Sequence, residues 1–292
     1  MRNLKANLLE LVRRTSAELP EDVVQAIARY ATQEREGSNA QYAMRIIQQN
    51  IDLAKGKSAP LCQDTGSILF FVKAPKGFDQ QAFAQAAARA VAEATAKGYL
   101  RQNSVDSLTG KNTGTNLGPG SPSLHFLQQR GSRVAVRLIL KGGGCENVGA
   151  QYSLPDTRLQ ANRDLAGVRA AILDAVLQAQ GKGCGPGILG VCIGGDRATG
   201  YLHSKEQLLR TLDEPNPNPT LAALEQDIVA TANKLGIGPM GFGGATTLLG
   251  CKIGALNRLP ASYFVSISYM CWAYRRQGFV LNDGGKIVEW LY

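Results

Sequence analysis

The spacing of apolar residues constrains this chain more than any other feature, because it changes character near residue 57. Before that point, Leu4, Leu8, Leu11 and Val12 recur at helical spacing. Pro20-Glu21-Asp22 reads as the first turn of a second helix through Val23, Ile27 and Tyr30. A third helical pattern passes through Tyr42, Ile46, Ile47, Ile51 and Leu53 and stops near Gly56. Beyond it, residues 67–74 form a short continuous apolar run of the kind a buried strand needs. An alanine-rich helix follows over 79–97, and an alternating strand over 133–140. Helical patterns then cover 162–180, 197–209 (capped by Asp196) and 220–235, with apolar strand-like runs at 188–193, 246–253, 263–270, 279–281 and 287–291. This order predicts an α+β fold: a helical N-terminal part, about residues 1–57, followed by a mixed or antiparallel sheet with helices, as one domain over 1–292. Residues 100–122 show no period and read as a long polar loop, a kind of segment that is often functional.

Glycine is abundant, at 33 residues, and it gathers around cysteine rather than in linkers. Glycine permits tight turns and close approach to a bound group, so this clustering points to a site. The first such stretch is Pro60-Leu61-Cys62-Gln63-Asp64-Thr65-Gly66. A thiolate can hold iron or zinc, and a carboxylate two residues away can move a proton beside it. The plainer alternative is a loop cysteine next to a capping aspartate. Lys141-Gly142-Gly143-Gly144-Cys145 and Gly181-Lys182-Gly183-Cys184-Gly185 repeat the pattern.

Phosphate chemistry does not account for these glycines. Residues 185–190 formally fit G-x-G-x-x-G, but the motif precedes a strand instead of following one, and Pro186 removes a backbone donor. No C-x-x-C pair exists, and His125 and His203 are the sole histidines, so zinc ribbons, ferredoxin-type clusters and His-rich metal sites lack their usual spacing. There remains a set of widely separated cysteines that a fold could gather. Three thiolates on a four-iron cluster would leave one iron open as a Lewis acid. By local context Cys62, Cys145 and Cys184 lie on loops suited to ligands, while Cys192 and Cys251 lie in strands and read as core. Cys271, between an apolar run and Trp272-Ala273-Tyr274-Arg275-Arg276, fits either role.

The formal charge of +9 suits either nucleic acid or small anions. The basic residues are scattered, with short pairs at Arg13-Arg14 and Arg275-Arg276 and no aromatic-interleaved RNA motif, which disfavours nucleic acid. There is no secretory-type leader and no apolar run long enough to span a bilayer, so a cytoplasmic protein with reduced thiols is expected.

Five stretches then occur in order: Cys62-Gln63-Asp64-Thr65-Gly66, Lys111-Asn112-Thr113-Gly114, Lys141-Gly142-Gly143-Gly144, Leu235-Gly236-Ile237-Gly238-Pro239 and Cys271-Trp272-Ala273-Tyr274-Arg275-Arg276. Together they resemble the iron–sulfur hydro-lyase family of class I fumarases and L-tartrate dehydratases, over nearly the whole chain. The likeness is to the alpha subunit, or to the N-terminal domain of fused forms. The resemblance implies a 4Fe–4S cluster held by three cysteines and reversible addition of water to an unsaturated dicarboxylate. Carried over by position, the ligands are Cys62, Cys184 and Cys271; the family often has serine where Cys145 stands.

By the same resemblance, Gln63 donates to a substrate carboxylate and Asp64 carries a proton. Arg101 pairs with a carboxylate, a task its fork suits, and the Gly144 backbone approaches the substrate. Asn112 and Thr113 support the same loop. Lys252 stands near a position where many relatives carry histidine, which would give it an anion-binding role. The family's second part, which adds cationic and hydroxyl groups to the active site, lies outside this chain, so a beta-type partner and a hetero-oligomer are expected. Fumarate/malate is the first substrate expected, with L-tartrate as the alternative because Cys271-Trp272-Ala273-Tyr274-Arg275-Arg276 is closer to the tartrate-type motif. Two readings of other classes stand beside these: a non-catalytic iron–sulfur electron-transfer or sensor protein, and a basic nucleic-acid-binding protein with core cysteines.

Overall fold

The computed structural model describes residues 3–292. In chain order its elements are α1 (Leu4–Ala17), α2 (Glu21–Ala31), α3 (Asn39–Lys57), β1 (Ser67–Ala74), α4 (Gln80–Ala96), β2 (Ser123–Gln128), β3 (Val134–Lys141), α5 (Gly143–Asn147) and β4 (Ala150–Ser153). Then follow α6 (Leu165–Ala179), β5 (Gly187–Ile193), α7 (Arg197–Gln207), α8 (Pro219–Asn233), β6 (Leu248–Ala255), β7 (Phe264–Met270), β8 (Arg276–Leu281) and β9 (Ile287–Trp290). The fold is α+β, as the order of patterns predicts. The chain divides into two compact units: the first holds the segments up to Glu21, Gln49–Gly143 and Ala273–Tyr292, and the second holds Asp22–Gln48 and Gly144–Trp272.

In the first unit a five-stranded sheet runs in the order β2-β1-β3-β8-β9, with β1 parallel to β2 and antiparallel to β3. Ile68, Phe70 and Val72 of β1 pack with Leu8, Leu11 and Val12 of α1 and Phe83, Ala87 and Val91 of α4. Leu69 and Phe71, pointing to the other face, are also buried. Burial on both faces explains why β1 is apolar throughout instead of alternating. The Asp79 side chain caps α4 by accepting from Ala82 N at 2.8 Å.

The second unit contains a four-stranded sheet, β4-β7-β5-β6, in which β5 is parallel to β6 and antiparallel to β7. Val168, Ile172 and Val176 of α6 and Ile228 of α8 form one core with Leu189, Val191, Ile253 and Ile267 of the sheet. Asp196 and Thr199 form a reciprocal capping box at the start of α7. The proline-rich break before α8 is tied down by buried Glu225, which accepts from Asn216 Nδ2 at 2.7 Å, Ile253 N at 2.7 Å and Arg210 Nη1 at 3.1 Å.

Three features depart from the sequence reading. β2 and β4 were not expected: β2 is a half-exposed edge strand and β4 has four residues, so neither carries enough apolar alternation to register. Residues 143–147 form a one-turn helix where a loop was expected. In α3 the buried stripe runs through Ala40, Ala43, Met44, Ile47, Ile51 and Ala54, whereas Tyr42 and Leu53 are 58% and 57% exposed. Alanines share the buried face with Met44, Ile47 and Ile51, so the largest apolar residues alone do not mark it. Among the described residues no helix is long and apolar enough to cross a membrane.

Glu225→Ala leaves three donors without their acceptor, one of them charged. A loss of about 3–5 kcal/mol in unfolding free energy is expected by chemical denaturation, against less than about 1 kcal/mol for an exposed control such as Glu36→Ala.

Candidate active site

The stretch 60–66 belongs to the first unit and is fixed from both ends. Leu61 N donates to Ser16 O at 2.9 Å, and Asn50 Nδ2 donates to Leu61 O at 2.9 Å, anchoring the chain just before Cys62. At the other end Gly66 has φ +73°, and a Cβ there would stand 2.2 Å from the Lys141 carbonyl oxygen. A side chain at this position would therefore be both strained and blocked by backbone. Between these anchors Cys62 is half-buried, Gln63 exposed and Asp64 half-buried.

Asp64 is held at both oxygens. Asn103 Nδ2 donates to Oδ1 at 2.5 Å and Gly143 N donates to Oδ2 at 2.6 Å. The next residue, buried Thr65, reaches the loop that carries Asn103: its Oγ1 donates to Arg101 O at 2.7 Å and accepts from Arg101 N at 3.0 Å. Asn116 completes the frame from the loop's far end. Its Oδ1 accepts from the amides of Asn103 and Ser104 at 2.8 and 3.1 Å, and its Nδ2 donates to Arg101 O and Thr95 Oγ1 at 2.8 and 3.0 Å. Asn116 is buried with φ +59°, a left-handed conformation that asparagine tolerates better than most residues. The long polar loop is thus an ordered support for Arg101 and Asn103, whose side chains are exposed. Asn112 serves the same loop by donating to Gln102 O at 3.1 Å. Asp64, Asn103, Asn116, Ser121, Ser123 and Gly143 line an open cleft of about 360 Å³.

The second unit holds Gly144, Cys184, Lys252 and Cys271. Cys184 is exposed with φ +52°, and its carbonyl accepts from Trp272 N at 3.3 Å, so the backbones at Cys184 and Cys271-Trp272 are joined. Cys271 is buried at the end of β7. Beside them lies the ring of Tyr269, in space that a Cβ on Gly183 or Gly187 would occupy: ring atoms come within 2.4 and 2.3 Å of those positions. Burial pushes the Tyr269 phenol pKa up, and the nearby Cys271, Cys145 and Cys184 groups push it further. Three cysteines therefore lie near one buried phenol.

Cys192 and Cys251 are core residues, as expected: burial raises the Cys192 thiol to about 12 and that of Cys251 further still. Lys252 is buried too, and its Nζ donates to the Glu214 carbonyl at 2.5 Å. Desolvation lowers its pKa, opposed by the charge of Glu225. A Cβ on Gly144 would meet only an ordinary 3.5 Å contact with Lys182 O, so packing does not demand glycine there. Among the described residues no three His, Cys, Asp or Glu side chains converge as ligands of one metal ion.

Sequence reasoning missed Thr65, Asn103, Asn116 and Tyr269 as parts of the site. Asn103 lies two residues from Arg101 in the same polar loop. Asn116 and Tyr269 carried no signal of their own, since both act through partners distant in sequence.

A carboxylate held at both oxygens at the edge of an open cleft is placed for proton transfer. The fumarate hydratase (Fumerase) family model matches residues 5–280, and the chain belongs to this family. A Geobacillus stearothermophilus protein, provisionally named class I fumarate hydratase, is 50% identical over all of this chain, which spans 58% of that protein's length. A Methanocaldococcus jannaschii protein, provisionally named L(+)-tartrate dehydratase subunit alpha, is 31% identical over 92% of this chain and 94% of its own length. The L(+)-tartrate dehydratase subunit alpha of Escherichia coli strain K12 is 31% identical over 89% of this chain and 85% of its own. The activities in these names are those of hydro-lyases.

Thiol exposure and pKa together order the cysteines by reactivity. Brief alkylation of the native apoprotein at pH 8, read by peptide mass spectrometry, is expected to modify Cys184 first and Cys62 next. Cys192 and Cys251 should stay unmodified until the protein is denatured.

Proposed function

We propose that this chain is the cluster-carrying alpha-type component of a 4Fe–4S hydro-lyase that reversibly hydrates fumarate to malate. The observation that carries this reading is the Cys62–Gly66 turn, where a thiol stands two residues from a carboxylate fixed at both oxygens. The chain's donors fit the group. Cys184 and Cys271 are joined through a backbone hydrogen bond, Cys62 lies on an anchored turn, and none of the six cysteines forms a disulfide. Thiolates that bind different irons of one cluster need not converge on a single point, as ligands of one ion must. Cys62, Cys184 and Cys271 would be the three ligands. When bound, such a cluster supplies an open iron that acts as a Lewis acid toward a hydroxyl or carboxylate.

The remaining work falls to the chain's own residues. Asp64 moves the proton through a carboxylate oxygen, and Asn103 and the Gly143 amide keep that carboxylate in one rotamer. Gln63 donates its amide to one substrate carboxylate, and the Arg101 guanidinium pairs with another. The Arg101 backbone cannot drift from Asp64 because Thr65 grips it at both N and O. The Gly144 backbone would approach the substrate. Lys252 would keep the anion-binding role, since the Glu214 carbonyl takes one of the three N–H groups of its ammonium.

A beta-type partner would complete the acid–base pair and make the assembly a hetero-oligomer. Two relatives are named alpha subunits, and the Geobacillus relative extends well beyond the matched length. Six cysteines kept as thiols fit a cytoplasmic location. L-tartrate is the second reading, favoured by the names of the two alpha-subunit relatives.

Anaerobic reconstitution tests the ligand set. Cys62→Ser, Cys184→Ser and Cys271→Ser are each expected to lose most bound iron and sulfide, while Cys192→Ser and Cys251→Ser retain it; retention in Cys62→Ser with loss in Cys145→Ser would refute the assignment. With cluster and partner in place, malate dehydration should exceed tartrate dehydration, and Asp64→Asn should lower kcat by about 10²–10⁴-fold at unchanged iron content. Robust tartrate turnover without malate turnover would instead establish the tartrate reading.

A further inference from the structure

Arg275, in the first unit, is 1% exposed, and its Nε and Nη1 have no hydrogen-bond partner. A guanidinium stays protonated in proteins, and a buried charge without a partner is strongly unfavourable. The residue is not free to withdraw. Its amide donates to Ala273 O at 2.8 Å, its carbonyl accepts from Leu140 N at 3.1 Å, and β8 pairs with β3 from the next residue onward.

The third nitrogen, Nη2, lies 3.9 Å from the point where a Cβ on Gly142 would be, and Asp64 Oδ2 lies 3.1 Å from that same point. The cation and the carboxylate thus flank one glycine, and the hydrogen bonds that hold Asp64 come from Asn103 and Gly143. A carboxylate proton carrier repels a dianionic substrate. An interior cation beside it, with two guanidinium nitrogens that bond to nothing among the described residues, offsets that repulsion, and salt screens a buried charge little.

We propose that Arg275 is a positioning residue that acts through its charge, making the neighbourhood of Asp64 attractive to a dicarboxylate without touching it. The inference rests on the dicarboxylate reading of the site.

The test compares binding of succinate, a dianion, with binding of the neutral succinamide. Calorimetry on the cluster-loaded full chain with its partner would cover wild type, Arg275→Gln and Arg275→Lys. Arg275→Gln is expected to weaken succinate on the order of tenfold and to leave succinamide unchanged at equal iron content, while Arg275→Lys stays near wild type for both. Equal weakening of both probes would show a structural role only, and unchanged succinate binding would show no role; either overturns the inference. If Arg275→Gln does not fold, Arg275→Lys decides: a selective tenfold loss of succinate there overturns it, since the charge is retained. Wild-type protein that binds no succinate would overturn the dicarboxylate reading itself, and this inference with it.

Discussion

The reciprocal hydrogen bonds between the Thr65 hydroxyl and the Arg101 backbone are the constraint on which the surroundings of Asp64 depend. They couple a short turn to a long loop with no secondary structure of its own. Without them the loop would have Asn116 as its main internal anchor, and the Asn103 amide would have to find Asp64 from a less defined start. One buried hydroxyl serves as donor and acceptor at once, which is why valine, though similar in shape, could not replace it. The geometry around Asp64 is therefore set by a residue whose side chain points away from it. Rigid support of this kind matters because a misplaced proton carrier loses rate steeply with distance.

The second unit solves a different problem. Its cysteines must be close without being bonded to each other, and Tyr269 occupies the space beside them. The ring is accommodated because Gly183 and Gly187 have no side chains, so the glycine clustering around Cys184 has a local packing cause. It is not, as a motif scan would suggest, a phosphate cradle.

Much of the fold was legible because it rests on local signals. The β1 run, the Asp79 and Asp196 caps and the break at Pro215–Pro219 were all visible as residue patterns, and each acts within a few residues of itself. The elements that escaped notice, β2 and β4, are short and depend on pairing with distant strands. The site divides in the same way. Cys62, Asp64 and Arg101 stand in recognisable stretches, but the reason Arg101 matters to Asp64 is a contact across 36 residues through Thr65. Cys145 and Cys184 sit on similar Gly-rich stretches, yet Cys145 is buried in a one-turn helix and Cys184 is exposed, a difference set by packing and not by the local residues.

The chain's basic character gains a second meaning from burial. A net charge of +9 suggests a surface that steers anions, yet Lys141, Lys252, Arg275 and Arg276 are all interior. Interior cations differ from surface ones because salt screens them little. They also differ among themselves. The Lys252 ammonium is bound by a carbonyl, and Arg276 stacks over Tyr274 and Tyr292. Arg275 keeps two nitrogens without a partner one glycine away from Asp64. Sequence counts these four charges alike. In the folded chain each has its own surroundings, and Arg275 stands beside the candidate proton carrier, where its charge bears on an incoming acid.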